Sequence, residues 1–300
     1  MKLIEHILKF RIFLIYYIKL KYLHTSNKLY FFFPTYATGG ATKVHRDILE
    51  AINLKDSVTF FCRWSENDKF KCDFYNTSIC FDLGKIKTTS NFFLEIIEGV
   101  IIKNINESRS IKIVGSNTEL FYQLIPKINN KNCIVIDIIH GFAPYSTDGV
   151  VFWSLPKVKR INTRIAVSKD IQLSLMKLYD ANGYGTQYNE RIIHIQNNIS
   201  LPKHVNQKNF NEEVKVIYAG RYCNIDKNVN AFFELANRFT NNPNVQFYAA
   251  GFNQNEVDYQ GDLNCTFLGV LPENELYNIF NSCHILVSPS TYESFGRSEE

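Results

Sequence analysis

Two cations and a carboxylate stand out by type and spacing. In "AGRYCNIDKN", residues 219–228, Arg221 and Lys227 lie in a loop between an apolar run and a helical one. Cations that emerge at the carboxyl end of a strand, beside a helix N-terminus, can hold a diphosphate and neutralise charge as a phosphate leaves. The plain alternative is a pair of solvated loop cations. In "STYESFGR", Glu293 stands three residues before Gly296. A carboxylate accepts two hydroxyl hydrogen bonds, which suits a sugar, while backbone N–H groups near Phe295 and Gly296 can face a phosphate.

Two further positions belong with these. "TYATGGATKVH", residues 35–45, ends a strand and opens a helix at Gly39 and Gly40, where first-turn N–H groups can receive an anion or hydroxyl. A tight strand-to-helix turn needs the same glycines, and the pattern is not the GxGxxG of dinucleotide sites. His140, in "IDIIHGF", ends another apolar run, where an imidazole can donate to a sugar hydroxyl or a phosphate. His45, His194, His204 and His284 have no metal-ligand spacing, so no metal site is expected. The cysteines, 7 in number, form no CxxC pair, which points to a reducing compartment rather than a disulfide framework or zinc site.

The elements that must position these residues alternate. From Leu29 onward, strand-like runs such as "KLYFFF", "SVTFFC", "SIKIVGS", "CIVIDII" and "RIAVS" are separated by helical segments, "GATKVHRDILEAI" and "KDIQLSLMKLYDA" among them. That order predicts parallel sheets covered by helices. Residues 197–213 turn polar and aperiodic, as a linker does, and a second series follows in "VKVIYA", "VQFYAA", "CTFLG" and "HILVS". The expectation is α/β, two Rossmann-like domains facing one another, 29–205 and 206–300. The second lacks a covering helix after its last strand and is expected to be incomplete.

Residues 1–28 stand apart. "MKLIEHILKFRIFLIYYIKLKYLH" is rich in Leu, Ile, Phe and Tyr but broken by Lys9, Arg11, Lys19 and Lys21, so the charge-free stretch is too short to span a bilayer. It reads as a basic helix lying in the membrane interface, as a helix packed on the first domain, as sequence upstream of the true start, or, last of the four, as a membrane anchor. With 33 Lys and Arg against 29 acidic residues, a formal net charge of +4, nucleic acid is not an expected partner.

In this order, the Gly-Gly loop, the "HGF" stretch, the "VS" strand end at Ser168, the "GR…K" loop and "SPSTYESFG" resemble the retaining glycosyltransferases of the GT-B fold, specifically glycosyltransferase family four (group 1). The resemblance covers residues 29–300 and is densest from Val214 onward. It implies the acceptor side for 29–205 and the nucleotide sugar for 206–300. It also implies that Arg221 and Lys227 hold the diphosphate of a nucleotide-sugar donor, with Glu293 touching the donor sugar. It places Phe295 and Gly296 as backbone contacts, and Gly39, Gly40 and His140 facing the donor sugar, its phosphate and the acceptor.

The implied activity is transfer of a sugar to a hydroxyl acceptor with retention. The setting would be bacterial surface polysaccharide, lipopolysaccharide or glycolipid synthesis, with a glycan or lipid-linked acceptor. No cofactor is implied, only the donor as substrate and no metal. No pair of carboxylates suited to a double displacement stands out, and the route that the resemblance implies is front-face attack with the leaving diphosphate as base. The chain would be cytoplasmic, with peripheral contact at the inner membrane face. Two departures accompany the resemblance: Arg221 and Lys227 are one residue further apart than in the commonest pattern, and the second glutamate of the motif would fall just past Glu300. The alternative is a truncated, non-catalytic chain that keeps part of a nucleotide-sugar site.

Overall fold

The computed structural model describes residues 2–23, 29–54, 56–88, 90–142, 149–198, 207–208, 210 and 213–291. The chain divides into two compact units, Met1–Asn197 and Asn198–Glu300. The boundary expected at 205/206 lies outside the described residues, as do Glu293, Phe295 and Gly296.

The first unit opens with helix α1 (Lys2–Lys21) and continues with β1 (Leu29–Phe33), α2 (Gly40–Ile52), β2 (Val58–Phe61), α3 (Lys71–Thr77), β3 (Ile79–Asp82), α4 (Leu83–Lys87) and α5 (Asn91–Glu107). It completes with β4 (Ile111–Ser116), α6 (Glu119–Leu124), β5 (Cys133–Ile139), α7 (Val150–Ser154), β6 (Thr163–Ala166), α8 (Lys169–Ala181), α9 (Thr186–Asn189) and β7 (Ile192–His194). The sheet order is β3-β2-β1-β4-β5-β6-β7, and every pairing is parallel. The winding reverses between β1 and β4, and in open sheets of this kind ligands bind outside the carboxyl ends of strands at such a reversal.

Helices cover both faces, so central strands carry unbroken apolar runs instead of alternation. Tyr30, Phe31, Phe32 and Phe33 of β1 are all fully buried, and Phe60 of β2 stacks between Phe32 and Phe81 at ring separations of 4.9 and 5.5 Å. Helix starts follow local chemistry. Ser168 Oγ accepts from Ile171 N and caps α8, Thr118 Oγ1 caps α6 through Phe121 N, and Asp82 Oδ1 caps α4 through Lys85 N. Gly183, just past α8, takes φ 72°, the left-handed value that favours glycine at a helix end.

Of the readings open for residues 1–28, helix α1 is packed on the first unit along one face. Phe13 stacks on Phe93 of α5 at 4.4 Å, Tyr16 meets Phe81 edge-on at 5.3 Å, and Asn104 Nδ2 donates to the carbonyl of buried Leu20 at 2.9 Å. Among the described residues no helix is long and apolar enough to cross a membrane.

The second unit contains β8 (Val214–Ala219), α10 (Val229–Arg238), β9 (Val245–Ala250), β10 (Thr266–Gly269), α11 (Glu273–Ser282) and β11 (Ile285–Leu286). Its sheet is parallel in the order β10-β9-β8-β11, with the reversal between β8 and β11. Val229, Phe232, Phe233 and Ala236 of α10, at helical spacings of three, four and seven, are fully buried against Val216, Tyr218 and Phe247.

Candidate functional site

Each unit gathers chemistry-bearing residues at the carboxyl ends of its strands, where its winding reverses. In the first unit the chain leaves β1 through Tyr36, whose backbone N–H donates to Ser65 Oγ at 3.1 Å and whose hydroxyl donates to Asp82 Oδ2 at 2.8 Å. Thr38 N donates to Asn67 Oδ1 at 3.1 Å, and Gly39 then serves as the N-cap of α2. These bonds fix the path into the Gly39–Gly40 turn. Burial, and the bond to Asp82 after it, push the Tyr36 hydroxyl above its ordinary range, so it stays a neutral donor. A Cβ built on Gly39 would meet Thr42 Oγ1 at an ordinary 3.5 Å, so no close packing requires glycine at that position.

His140 follows β5 directly, and the structure gives it a partner that the sequence pattern did not assign. His45, on α2, is fully buried, stacks on Phe33 with ring centroids 4.0 Å apart, and places its Nε2 3.0 Å from His140 Nε2. Burial holds His45 well below the usual imidazole range, and the charge His140 can carry adds to that. A neutral His45 leaves one proton to be shared across the Nε2···Nε2 contact. Each ring's tautomer is therefore tied to the other's. The site signal was present in the sequence: position 45 falls between Val44 and Ile48 on the inner stripe of α2.

Deeper in the same sheet, Asp137 of β5 and Arg164 of β6 form a buried ion pair, Nη2 to Oδ2 at 2.7 Å. Tyr122 donates to the other carboxylate oxygen at 2.7 Å, and the Arg164 guanidinium lies 5.6 Å over the Tyr179 ring. Burial pushes the Asp137 carboxyl up, against the pull of Arg164 and Tyr122. This group sits inside the sheet, three residues before His140. A surface depression of about 490 Å³ lined by Arg109, Lys131, Asn132 and Asn162 lies at the opposite, amino ends of β4, β5 and β6, away from every residue singled out above.

In the second unit, Arg221 and Lys227 occupy the loop after β8. Tyr218 Oη donates to the Arg221 carbonyl at 3.0 Å, and Asn224 Oδ1 accepts from Asn230 N at 3.0 Å, tying the loop to the first turn of α10. Asn228 caps that helix in the left-handed conformation, φ 48°. The Arg221 guanidinium is ion-paired with Asp226 of the same loop. Burial alone would raise the Asp226 carboxyl, but a Cys223 hydrogen bond and the charges of Arg221 and Lys227 hold it below the ordinary carboxylate value.

The loop is seated on backbone. Gly220 N donates to Ala250 O at 3.0 Å, and Gly251, with φ 109°, comes so close that a Cβ there would lie 2.2 Å from Gly220 O. From the other side of the reversal, the chain leaving β11 reaches the same loop. Thr291 N donates to Asp226 O at 3.0 Å, and Thr291 Oγ1 donates to Ile225 O at 3.1 Å. The segment that runs on into Glu293 thus starts against the Arg221–Lys227 loop. Among the described residues no group of His, Cys, Asp and Glu could hold a metal ion.

Comparison with known proteins bears on this geometry. Residues 202–298 match the family model of the glycosyl transferases group 1. The match spans the whole second-unit cluster, from before β8 to beyond Gly296. No curated protein sequence matches the chain. Among solved structures, the chain is similar to the apo form of the lipopolysaccharide outer core galactosyltransferase WaaB, at 15% identity over 90% of this chain and 76% of that one, with TM-score 0.58. It is similar also to sucrose-phosphate synthase from Thermosynechococcus elongatus, at 14% identity over 90% of this chain and 77% of that one, TM-score 0.57. For TarM the values are 17% identity, 67% and 41% coverage, and TM-score 0.51, so this chain spans less than half of TarM's length. These likenesses assign the fold: the chain has the α/β architecture of the GT-B glycosyltransferases, with a seven-stranded parallel sheet and a second parallel sheet.

Proposed function

We propose that this chain carries the machinery of a retaining glycosyltransferase, which moves a sugar from a nucleotide-sugar donor to a hydroxyl on a glycan or lipid-linked acceptor in bacterial surface polysaccharide or glycolipid synthesis. The observation that carries the reading is the β8/β11 reversal. The loop bearing Arg221 and Lys227 and the segment leading to Glu293 leave the sheet on either side of it and are joined there through Thr291. The match of residues 202–298 to the glycosyl transferases group 1 supports it.

In this reading the bond between the donor's anomeric carbon and the diphosphate oxygen breaks, and the diphosphate keeps the electron pair. The acceptor oxygen bonds to the same face of the anomeric carbon, and its proton passes to the departing phosphate. Arg221 and Lys227 stabilise the charge that builds on that phosphate. Asp226 holds the Arg221 guanidinium at the loop, and a diphosphate competes with it for the same cation. By the family resemblance, Glu293 takes sugar hydroxyls, Phe295 and Gly296 offer backbone N–H groups, and Gly39, Gly40 and His140 are assigned to the sugar, phosphate and acceptor.

Arg221→Ala, assayed for sugar transfer and hydrolysis across a panel of nucleotide sugars, is expected to lower turnover by about 10²-fold or more. Near-normal turnover in that variant would remove Arg221 from the site.

A further inference from the structure

Helix α1 buries one side against the first unit and leaves the other to solvent. The solvent side has an unusual composition. Phe10 is 49% exposed, Leu14 41%, Ile15 47%, Ile18 46% and Tyr22 72%. At 100° per residue these positions fall within one half of the helix surface, opposite buried Phe13 and Leu20. Phe92 of α5, also exposed, extends the patch: Phe93 lies 6.0 Å from Phe10 and 6.1 Å from Phe92 by ring centroid.

The charged residues on this side are Arg11, Lys19 and Lys21, all exposed, and residues 10–23 contain no acid. Among the described residues no carboxylate pairs with any of the three. Contiguous exposed apolar surface on a folded protein marks an interaction site. The uniform positive charge selects the occupant. A second copy of this helix would bring the same cations face to face, whereas an anionic surface with an apolar interior satisfies both features at once.

We propose that the outer face of α1 docks on an anionic lipid bilayer, with the helix lying in the interface plane. Phe10, Leu14, Ile18 and Tyr22 enter the acyl boundary while Arg11, Lys19 and Lys21 reach the headgroups. The helix stays attached to its unit through Phe13, Tyr16 and Leu20, so docking needs no unfolding. This inference does not rest on the sugar-transfer reading.

The test is sedimentation of the full chain with vesicles of phosphatidylcholine alone and of phosphatidylcholine with phosphatidylglycerol. Each basic residue near an anionic surface contributes a factor of about five, so three give a preference of about 10²-fold for the anionic vesicles. Leu14→Gln with Ile18→Gln, at exposed positions, and separately Arg11→Gln with Lys19→Gln and Lys21→Gln, are each expected to reduce binding at least about tenfold. Unchanged circular dichroism and urea midpoints identify folded variants. Equal partition into neutral and anionic vesicles, binding unaltered in both folded variants, or concentration-dependent dimerisation that the Leu14/Ile18 variant abolishes without any vesicle binding would each overturn the proposal.

Discussion

Arg164→Met tests how the first sheet tolerates a charged pair inside it. The pair is almost wholly buried, Arg164 at 1% and Asp137 at 0% exposure, and Arg164 Nε and Nη1 have no hydrogen-bond partner among the described residues. Methionine keeps much of the apolar stem and removes the charge. Asp137 would then keep only the Tyr122 hydroxyl and would take up a proton. Protonating a carboxyl with an ordinary value of 3.8 at pH 7 costs about 4 kcal/mol at 1.36 kcal/mol per pH unit. That agrees with the ~3–5 kcal/mol expected for removing one partner of a buried pair. The sign follows: in the variant the folded carboxyl titrates above its unfolded value, so the deficit shrinks as pH falls, to roughly 1.6 kcal/mol at pH 5.

Both tryptophans, Trp64 and Trp153, lie in the first unit, so tryptophan fluorescence during urea unfolding reports that unit by itself. The expected result is a midpoint loss at pH 7 that is largely recovered at pH 5. Since neither charge of the pair then remains, adding Asp137→Asn should remove the part of the pH dependence that comes from Asp137 and leave that of His45. A penalty under about 1 kcal/mol at pH 7, or one that does not change with pH, would refute the reasoning.

Three other substitutions probe one loop and two helices. Gly251→Ala places a Cβ against Gly220 O at a positive φ, so it should cost ~1–3 kcal/mol and weaken binding of a nucleoside diphosphate by shifting the start of the Arg221 loop. Gly99→Ala, on exposed α5 surface with nothing near its Cβ, should instead stabilise by ~0.5–1 kcal/mol, and calorimetry comparing the two variants checks both signs. His45, held neutral by burial, contributes stability that is present above its ordinary value of 6.5 and lost as pH falls below it. Between pH 7.5 and 5.5 the wild-type first unit should therefore lose up to about 1.4 kcal/mol more than His45→Phe, and equal losses in urea titrations would refute this.

Much of the architecture was readable because the pattern repeats. The helix expected over "GATKVHRDILEAI" forms with those bounds as α2, since a glycine pair opens it and Val44 and Leu49 fall on its buried side. The sequence is least legible between β2 and α5. Strand β3 is only four residues, and α3 and α4 are seven and five, too short for either periodicity to emerge. Strand β11 pairs over just Ile285 and Leu286, although the apolar run around it is longer, because pairing is set by its neighbour β8.

Site chemistry divided in a similar way. Arg221, Lys227 and His140 could be singled out by type and position, but their partners could not. Asp226 is separated from Arg221 by four residues of irregular loop, and His45 from His140 by most of the first sheet. Contacts across such distances follow from strand order, and β1 lying beside β4 is a tertiary fact without a local signal.

Asp82 gives the amino-terminal helix a significance beyond its outer face. Its backbone N–H donates to Tyr16 Oη of α1, its carboxylate receives Tyr36 Oη from the turn that leads to Gly39, and Lys85 closes on the same oxygen at 3.4 Å. A gene cut to begin at β1 would leave Phe81 and Phe93 facing water and take away one of the groups that orient Asp82. For anyone preparing this protein, α1 is a wall of the first domain, and an expression boundary drawn inside it turns interior into sticky surface.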